Sequence, residues 1–258
     1  MAQLQGKVIA LTGAASGIGA ATALECAARG AAGLSLCDIN EDALKKVVDQ
    51  IRAKGVKVTG RRVDVADSDQ VDAWIADTVK EFGRLDGAAN IAGVETKPGG
   101  KVFANIVDIT NDHWDFILKI NLTGLFYCLR AELRAMDRGA SILNVASLAG
   151  VMGRPGIGAY SVSKHGVVGL TRTAAKEVGP RGIRVNALAP GPIETPMLER
   201  LLTDGGSSDR PVTNTYKTLP LQRLGTAQDM AKTICFALSD DSSYTTGATF
   251  SADGGVAC

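Results

Sequence analysis

Val8-Ile9-Ala10-Leu11-Thr12-Gly13-Ala14-Ala15-Ser16-Gly17-Ile18-Gly19 is an apolar run that breaks into a glycine turn and opens a helix. A glycine turn is informative in this setting, between a strand and the helix that follows it. Gly13 permits a tight exit from the strand, and Gly17 and Gly19 let the backbone approach a pyrophosphate. The helix start adds unpaired N–H donors and a positive dipole end. Gly13, Ser16, Gly17, Ile18 and Gly19 are therefore candidate dinucleotide contacts. The spacing differs from G-x-G-x-x-G, because three residues separate Gly13 from Gly17, and the turn alone also fits a ligand-free strand-to-helix connection. Asp38 follows about 20 residues later, at the end of the next predicted strand, where a carboxylate can bind the adenosine ribose hydroxyls. A phosphate on that ribose would meet a negative charge. Neither Ala14 and Ala15 in the turn nor Ile39 and Asn40 after Asp38 supply a base. NAD is favoured over NADP on that charge argument.

Outward from the turn, short β-rich runs alternate with amphipathic stretches. Strands are predicted over 7–12, 34–38, 56–63, 86–90, 141–146, 183–188 and 248–252. Helices are predicted over 17–29, 40–54 behind an Asn40 cap, 67–82, 112–136, 159–178 and 226–238. Strands joined through helices pair in parallel with right-handed crossovers. The near-continuous apolar character of Val8–Leu11 and of Ile142-Leu143-Asn144-Val145 implies that helices cover both faces. The expected fold is α/β, a doubly wound parallel sheet of the Rossmann type, as a single domain over residues 1–258. Ligands of such sheets sit beyond the carboxyl ends of the strands. Residues 190–220, containing Asp204-Gly205-Gly206-Ser207-Ser208, read as a long substrate loop.

The bulk composition excludes several classes. A formal net charge of +1 gives no field for nucleic acid or an anionic membrane. No apolar run reaches the roughly 18 residues of a membrane span, and the first strand begins at once, so a soluble, cytoplasmic protein is expected. The five cysteines (Cys26, Cys37, Cys128, Cys235, Cys258) are scattered, and with only His113 and His165 no metal site is expected. They read as reduced core thiols, apart from Cys258, expected to be exposed.

Tyr160 and Lys164 stand four apart on a predicted helix, so both side chains leave one face. The flanking residues are small, unlike those of a solvated helix face. A free phenol has a pKa of about 10, too high for a base near neutrality. An adjacent ammonium and a cationic nicotinamide are both expected to lower it. Lys164 can also donate to the nicotinamide ribose, and Tyr160 and Lys164 are both candidate cofactor contacts. Ser147, just past the fifth strand, can donate to a substrate oxygen as negative charge develops. Turn, serine and Tyr/Lys pair together describe the interconversion of an alcohol and a carbonyl by hydride transfer.

On these motifs the chain resembles the short-chain dehydrogenase/reductase family along essentially its whole length. The turn is similar to that family's T-G-x-x-x-G-x-G, and Asn90-Ile91-Ala92-Gly93 to its N-N-A-G, with Ile91 in place of the second asparagine. The resemblance implies a tetrad of Asn121, Ser147, Tyr160 and Lys164, with Asn121 holding a water that links Lys164 to solvent. It implies that Asp64 and Val65 contact adenine, that Asn90 belongs to the cofactor site, and that Pro190, Ile193 and Thr195 lie against the nicotinamide carboxamide. It also implies a homodimer or homotetramer built on the long helices near 112–136 and 159–178.

The expected activity is NAD-linked oxidoreduction of a secondary alcohol or ketone, a lipophilic or cyclic small molecule. Val94, Ala149, Val151 and Met197 are the expected pocket lining, and Glu95 is a candidate for its border. Alternatives are an NADPH-dependent 3-oxoacyl carrier-protein reductase, with Arg134 and Lys176 as docking bases, a non-redox cyclase or isomerase, and a nucleotide-binding scaffold without turnover.

Overall fold

The computed structural model describes residues 3–204 and 219–257. Its strands, in chain order, are β1 (Val8–Thr12), β2 (Gly33–Asp38), β3 (Lys57–Arg62), β4 (Gly87–Asn90), β5 (Ser141–Val145), β6 (Arg184–Pro190), β7 (Ile193–Glu194), β8 (Gly225–Thr226) and β9 (Thr249–Ala252). Its helices are α1 (Gly17–Ala28), α2 (Glu41–Arg52), α3 (Ser68–Phe82), α4 (Asn111–Leu118), α5 (Leu125–Ala135), α6 (Gly158–Val178), α7 (Pro196–Asp204) and α8 (Ala227–Leu238). Seven strands form one sheet in the order β3-β2-β1-β4-β5-β6-β9, with every pair parallel. Strand order reverses between β1 and β4, and a crevice opens there beyond the strand ends.

Side chains of a strand alternate between faces, and β1 divides accordingly. Ile9 and Leu11 join Leu34, Leu36, Met230 and Ile234 in one core layer. Ala10 joins Trp74, Ala88, Leu129 and Ile142 in the other. Both layers are buried, which is why the strands read as unbroken apolar runs. Trp74 packs in the second layer, and its indole N–H donates to Ser35 Oγ at 2.9 Å. Polar side chains start the helices: Asn40 accepts from Ala43 N–H, Asp67 from Asp69 and Gln70, and Thr226 forms a capping box with Asp229.

Cys26, Cys37, Cys128 and Cys235 are buried and unbridged. The sulfurs of Cys26 and Cys235 lie 3.6 Å apart between α1 and α8. Their hydrogen bond and burial push the Cys26 thiol well up. Cys258 lies outside the described residues. Among those residues, no helix is long and apolar enough to cross a membrane.

Two elements differ from expectation. The single helix expected over 112–136 is broken: α4 passes through a π-helical segment, Lys119–Gly124, before α5 resumes. A π segment re-aims side chains within a continuing helix, a local device that a 3.6-residue pattern does not reveal. The loop expected over 190–220 contains β7, paired in parallel with β8, and the helix α7. Pro196 and the glycines masked that helix; proline is well tolerated in a first turn. Of the Asp204–Ser208 stretch, residues from Gly205 onward lie outside the described residues.

Glu132, on α5, is buried against β4 and β5. Asn90 Nδ2 donates to Glu132 Oε2 at 2.9 Å and to Asn144 Oδ1 at 3.0 Å. Burial pushes the Glu132 carboxyl up to about 7, against the pull of Asn90. A raised folded pKa contributes stability that is complete below the unfolded value and lost as pH rises through 7. Glu132→Gln should therefore flatten the pH dependence of stability between pH 5 and 8. At pH 8 it should stabilise the fold by up to about 3 kcal/mol. Urea unfolding at both pH values measures this; parallel losses in wild type and variant would contradict it.

Candidate active site

Thr12 ends β1, and its hydroxyl accepts from the N–H groups of Ile91 (3.0 Å) and Ala92 (3.1 Å). The glycine turn is thereby pinned to the exit of β4. Gly13 has φ +66°, and a Cβ there would sit 2.9 Å from the Ala92 backbone. A Cβ on Gly19 would fall 1.9 Å from the Gly13 carbonyl oxygen. Only glycine allows a turn this tight, and it aims the start of α1 into a cavity of about 290 Å³. Gly13, Ser16, Gly17, Ile18, Gly19, Asp38, Asp64, Val65 and Thr195 all line that cavity. Ser16 stands at the helix start without a capping bond from its side chain. Asp38 accepts from Ala15 N–H and Asn40 N–H, each at 2.9 Å, so one carboxylate braces the turn while walling the crevice. An elongated ligand with phosphates at its middle and hydroxyls at Asp38 suits this cradle.

A second cavity of about 290 Å³ adjoins the first. The two share Ile18, Ile91, Gly93, Thr195 and Met197. Ser147, Tyr160, Lys164, Pro190 and Ile193 line the second. Ser147 follows β5 and accepts from Ala149 N–H at 3.1 Å, leaving its own hydroxyl proton to donate. Tyr160 and Lys164 rise from the first turns of α6. Lys164 Nζ is buried, donates to Val145 O at 2.9 Å, and lies 5.7 Å from the Tyr160 ring centre. Burial lowers its ammonium to about 8.

The phenol departs from expectation. Burial pushes the Tyr160 hydroxyl up to about 12, the neighbouring Ser147 hydroxyl pulls it partly back, and the Glu95 charge adds to the rise. Burial outweighs the Ser147 hydrogen bond, with the Lys164 ammonium 5.7 Å from the ring centre. In the protein alone Tyr160 is a held proton, not a base.

Asn121 sits in the π segment, fully buried. It clamps Val94 from both sides, accepting from Val94 N–H and donating to Val94 O at 2.8 Å each, and donates to Ser163 Oγ at 3.2 Å. It supports the loop after β4. A Cβ on Gly93 would lie 3.2 Å from Asn121 Oδ1 and 3.3 Å from Lys164 Nζ, so this glycine lets the three converge. Asn90, an expected cofactor residue, lines neither cavity; its amide donates to Glu132 and Asn144 beneath the crevice-lining Ile91.

Ala149 and Met197 line the catalytic cavity as expected, and Val94 lines the dinucleotide crevice instead. Val151 lines neither cavity and is exposed, because the short turn after Ser147 directs Ala149 rather than Val151 inward. Phe103, Leu148, Ile157 and Leu198 complete the apolar wall, and Arg154 stands at its exposed edge. These escape sequence reading because long-range pairing brings them in, as in the bridge between Ala104 and Ile157. Glu95 lines the cavity while only 6% exposed, and Arg200 of α7 donates to it, Nε to Oε1 at 2.9 Å.

Residues 13–257 match the family model described as "Enoyl-(Acyl carrier protein) reductase". The chain is 47% identical to "Short-chain dehydrogenase/reductase aba4" of Botryotinia fuckeliana, over 98% of this chain and 97% of that one. It is 40% identical to 2,5-dichloro-2,5-cyclohexadiene-1,4-diol dehydrogenase of Sphingobium indicum, over 99% and 98% of the two chains. Among solved structures, an NAD+-bound xylitol dehydrogenase superimposes with a TM-score of 0.91 at 34% identity, covering 98% of this chain and all of the other.

Proposed function

Given that this chain belongs to the short-chain dehydrogenase/reductase family, we propose that it interconverts an apolar, cyclic secondary alcohol and its ketone, with NAD as the partner. One observation carries the reading: Ser147, Tyr160 and Lys164 share an apolar cavity that adjoins the glycine crevice. The crevice residues Gly13, Ser16, Gly17, Ile18, Gly19, Asp64 and Val65, with Pro190, Ile193 and Thr195 at the seam, are the proposed dinucleotide contacts. When bound, the nicotinamide supplies the hydride acceptor or donor and, in its oxidised form, a positive charge.

The chain's own residues manage the proton and the pose. Ser147 donates to the substrate oxygen and favours the developing alkoxide. Tyr160 gives its proton to that oxygen in the reducing direction and takes the carbinol proton in the oxidising direction. Lys164 keeps a buried positive charge beneath the phenol, and Asn121 is a positioning residue that fixes Val94 and the loop carrying Glu95. Apolar walls exclude water and select the hydrocarbon body of the substrate. A relative named for a cyclohexadienediol supports the cyclic class.

Asp38 supports NAD. A ribose phosphate would face its carboxylate, and the same charge opposes the NADPH-dependent carrier-protein reading. Replacing Asp38 by Ala together with Ile39 by Arg, an exposed crevice residue, should shift the NADP:NAD ratio of kcat/KM upward by about 100-fold or more. An unchanged ratio would mean that the ribose lies elsewhere. The wider test is a panel of cyclic secondary alcohols read at the reduced-nicotinamide absorbance band, with NAD and NADP in parallel. We propose further that the protein works as a homodimer or homotetramer; sedimentation measures that directly.

A further inference from the structure

Most of the catalytic cavity's wall is apolar, yet it contains one buried carboxylate, Glu95. Burying a carboxylate without partners is costly, and the fold makes two provisions for this one. Asn121 clamps the preceding residue from both sides, and Arg200 reaches across from α7 to pair with Glu95 at 2.9 Å. The Arg200 side chain is 55% exposed and lines the dinucleotide crevice, whereas the Glu95 side chain is 7% exposed and lines the catalytic cavity; Nη2 of Arg200 approaches Oε2 at 3.5 Å, a longer contact than the one to Oε1. Glu95 also lies close enough to Tyr160 for its charge to be felt at the phenol. An ionised carboxylate only accepts hydrogen bonds, so what it selects must donate one. A carboxylate or phosphate on the substrate would be repelled by Glu95, since of the cavity's two other cations Lys164 is engaged by Val145 O beside Tyr160 and Arg154 stands out in solvent.

Resting on the activity proposed above, we propose that Glu95 is a specificity residue: it binds a second donor, a hydroxyl or amine remote from the reacting carbinol. The substrate class is thereby narrowed to cyclic diols, hydroxyketones or amino alcohols. Arg200 acts through Glu95 as a positioning residue.

The test compares cyclohexanol with trans-1,4-cyclohexanediol, both with NAD, after correcting for the diol's two equivalent carbinols. Wild type should favour the diol by about 10- to 100-fold in kcat/KM, mostly through KM. Glu95→Leu should bring the ratio to unity or below, and Glu95→Gln, still an acceptor, should retain part of it. Arg200→Met should lower the ratio through the diol's KM. Each ratio is measured on a single preparation, so partial misfolding cancels. A ratio that Glu95→Leu leaves unchanged, or no preference in wild type, overturns the inference while cyclohexanol turnover leaves the activity standing. Oxidation of neither alcohol counts against both.

Discussion

Tyr160→Phe is expected to lower kcat for alcohol oxidation by about 10²- to 10⁴-fold, the usual share of a positioned acid or base. Dinucleotide affinity should change far less, because Tyr160 lines the catalytic cavity and not the glycine crevice. The substitution removes one hydroxyl and leaves the ring to fill its place, so the loss reports proton transfer rather than packing. With the phenol pushed up to about 12 by burial, its proton is in place for ketone reduction throughout the neutral range. Oxidation needs that proton gone. Wild-type oxidation should therefore rise with pH by up to about tenfold per unit before it levels, and the residual rate of the variant should not follow that rise. Steady-state kinetics in both directions from pH 6 to 10, with dinucleotide binding by fluorescence, measures this. A variant with wild-type kcat would exclude Tyr160 from the chemistry.

Lys164→Met should move activity and stability in opposite directions. Burial lowers the Lys164 ammonium from its ordinary 10.5 to about 8, so the folded state carries a charge it disfavours. A depressed ammonium pKa means that this penalty is present in full below pH 8 and fades as pH rises towards 10.5. The shift corresponds to about 3 kcal/mol, offset in the variant by the lost charged hydrogen bond to Val145 O. The variant should thus be equally stable or up to about 2 kcal/mol more stable at pH 7, a gain that disappears near pH 10. Its kcat should nevertheless fall by about 10²-fold or more, since the phenolate loses its only close cation on α6. The double variant with Tyr160→Phe should be little worse than the poorer single one, because the two residues act as a unit. Additive losses would separate their roles.

The legible and illegible parts of this protein differ in physical kind. Strand-to-helix alternation, the glycine turn and the caps are written in local patterns, so β1 to β6 and most helices stand within a residue or two of expectation. Tyr160 and Lys164 are legible because helical spacing alone aligns them. The π segment is not, since its cause is a tertiary clamp: Asn121 seizing Val94 and Gly124 closing on Val65. The side-chain partners of Asn90 are hidden for a related reason. Its amide serves a buried network with Glu132 and Asn144 that no spacing announces. The sign of the Tyr160 shift was equally hidden, because a nearby lysine is visible in sequence and the depth of burial is not. Glu95 and Arg200 stand 105 residues apart, and only the fold brings them together.

The most direct measurement follows the hydrogen. A cyclic secondary alcohol deuterated at its carbinol carbon is turned over once by enzyme holding NAD, and the recovered dinucleotide is weighed by mass spectrometry. The expected result is one deuterium on the reduced nicotinamide, with none released to water. Label in the solvent, or ketone formed without labelled dinucleotide, would contradict hydride transfer at this site.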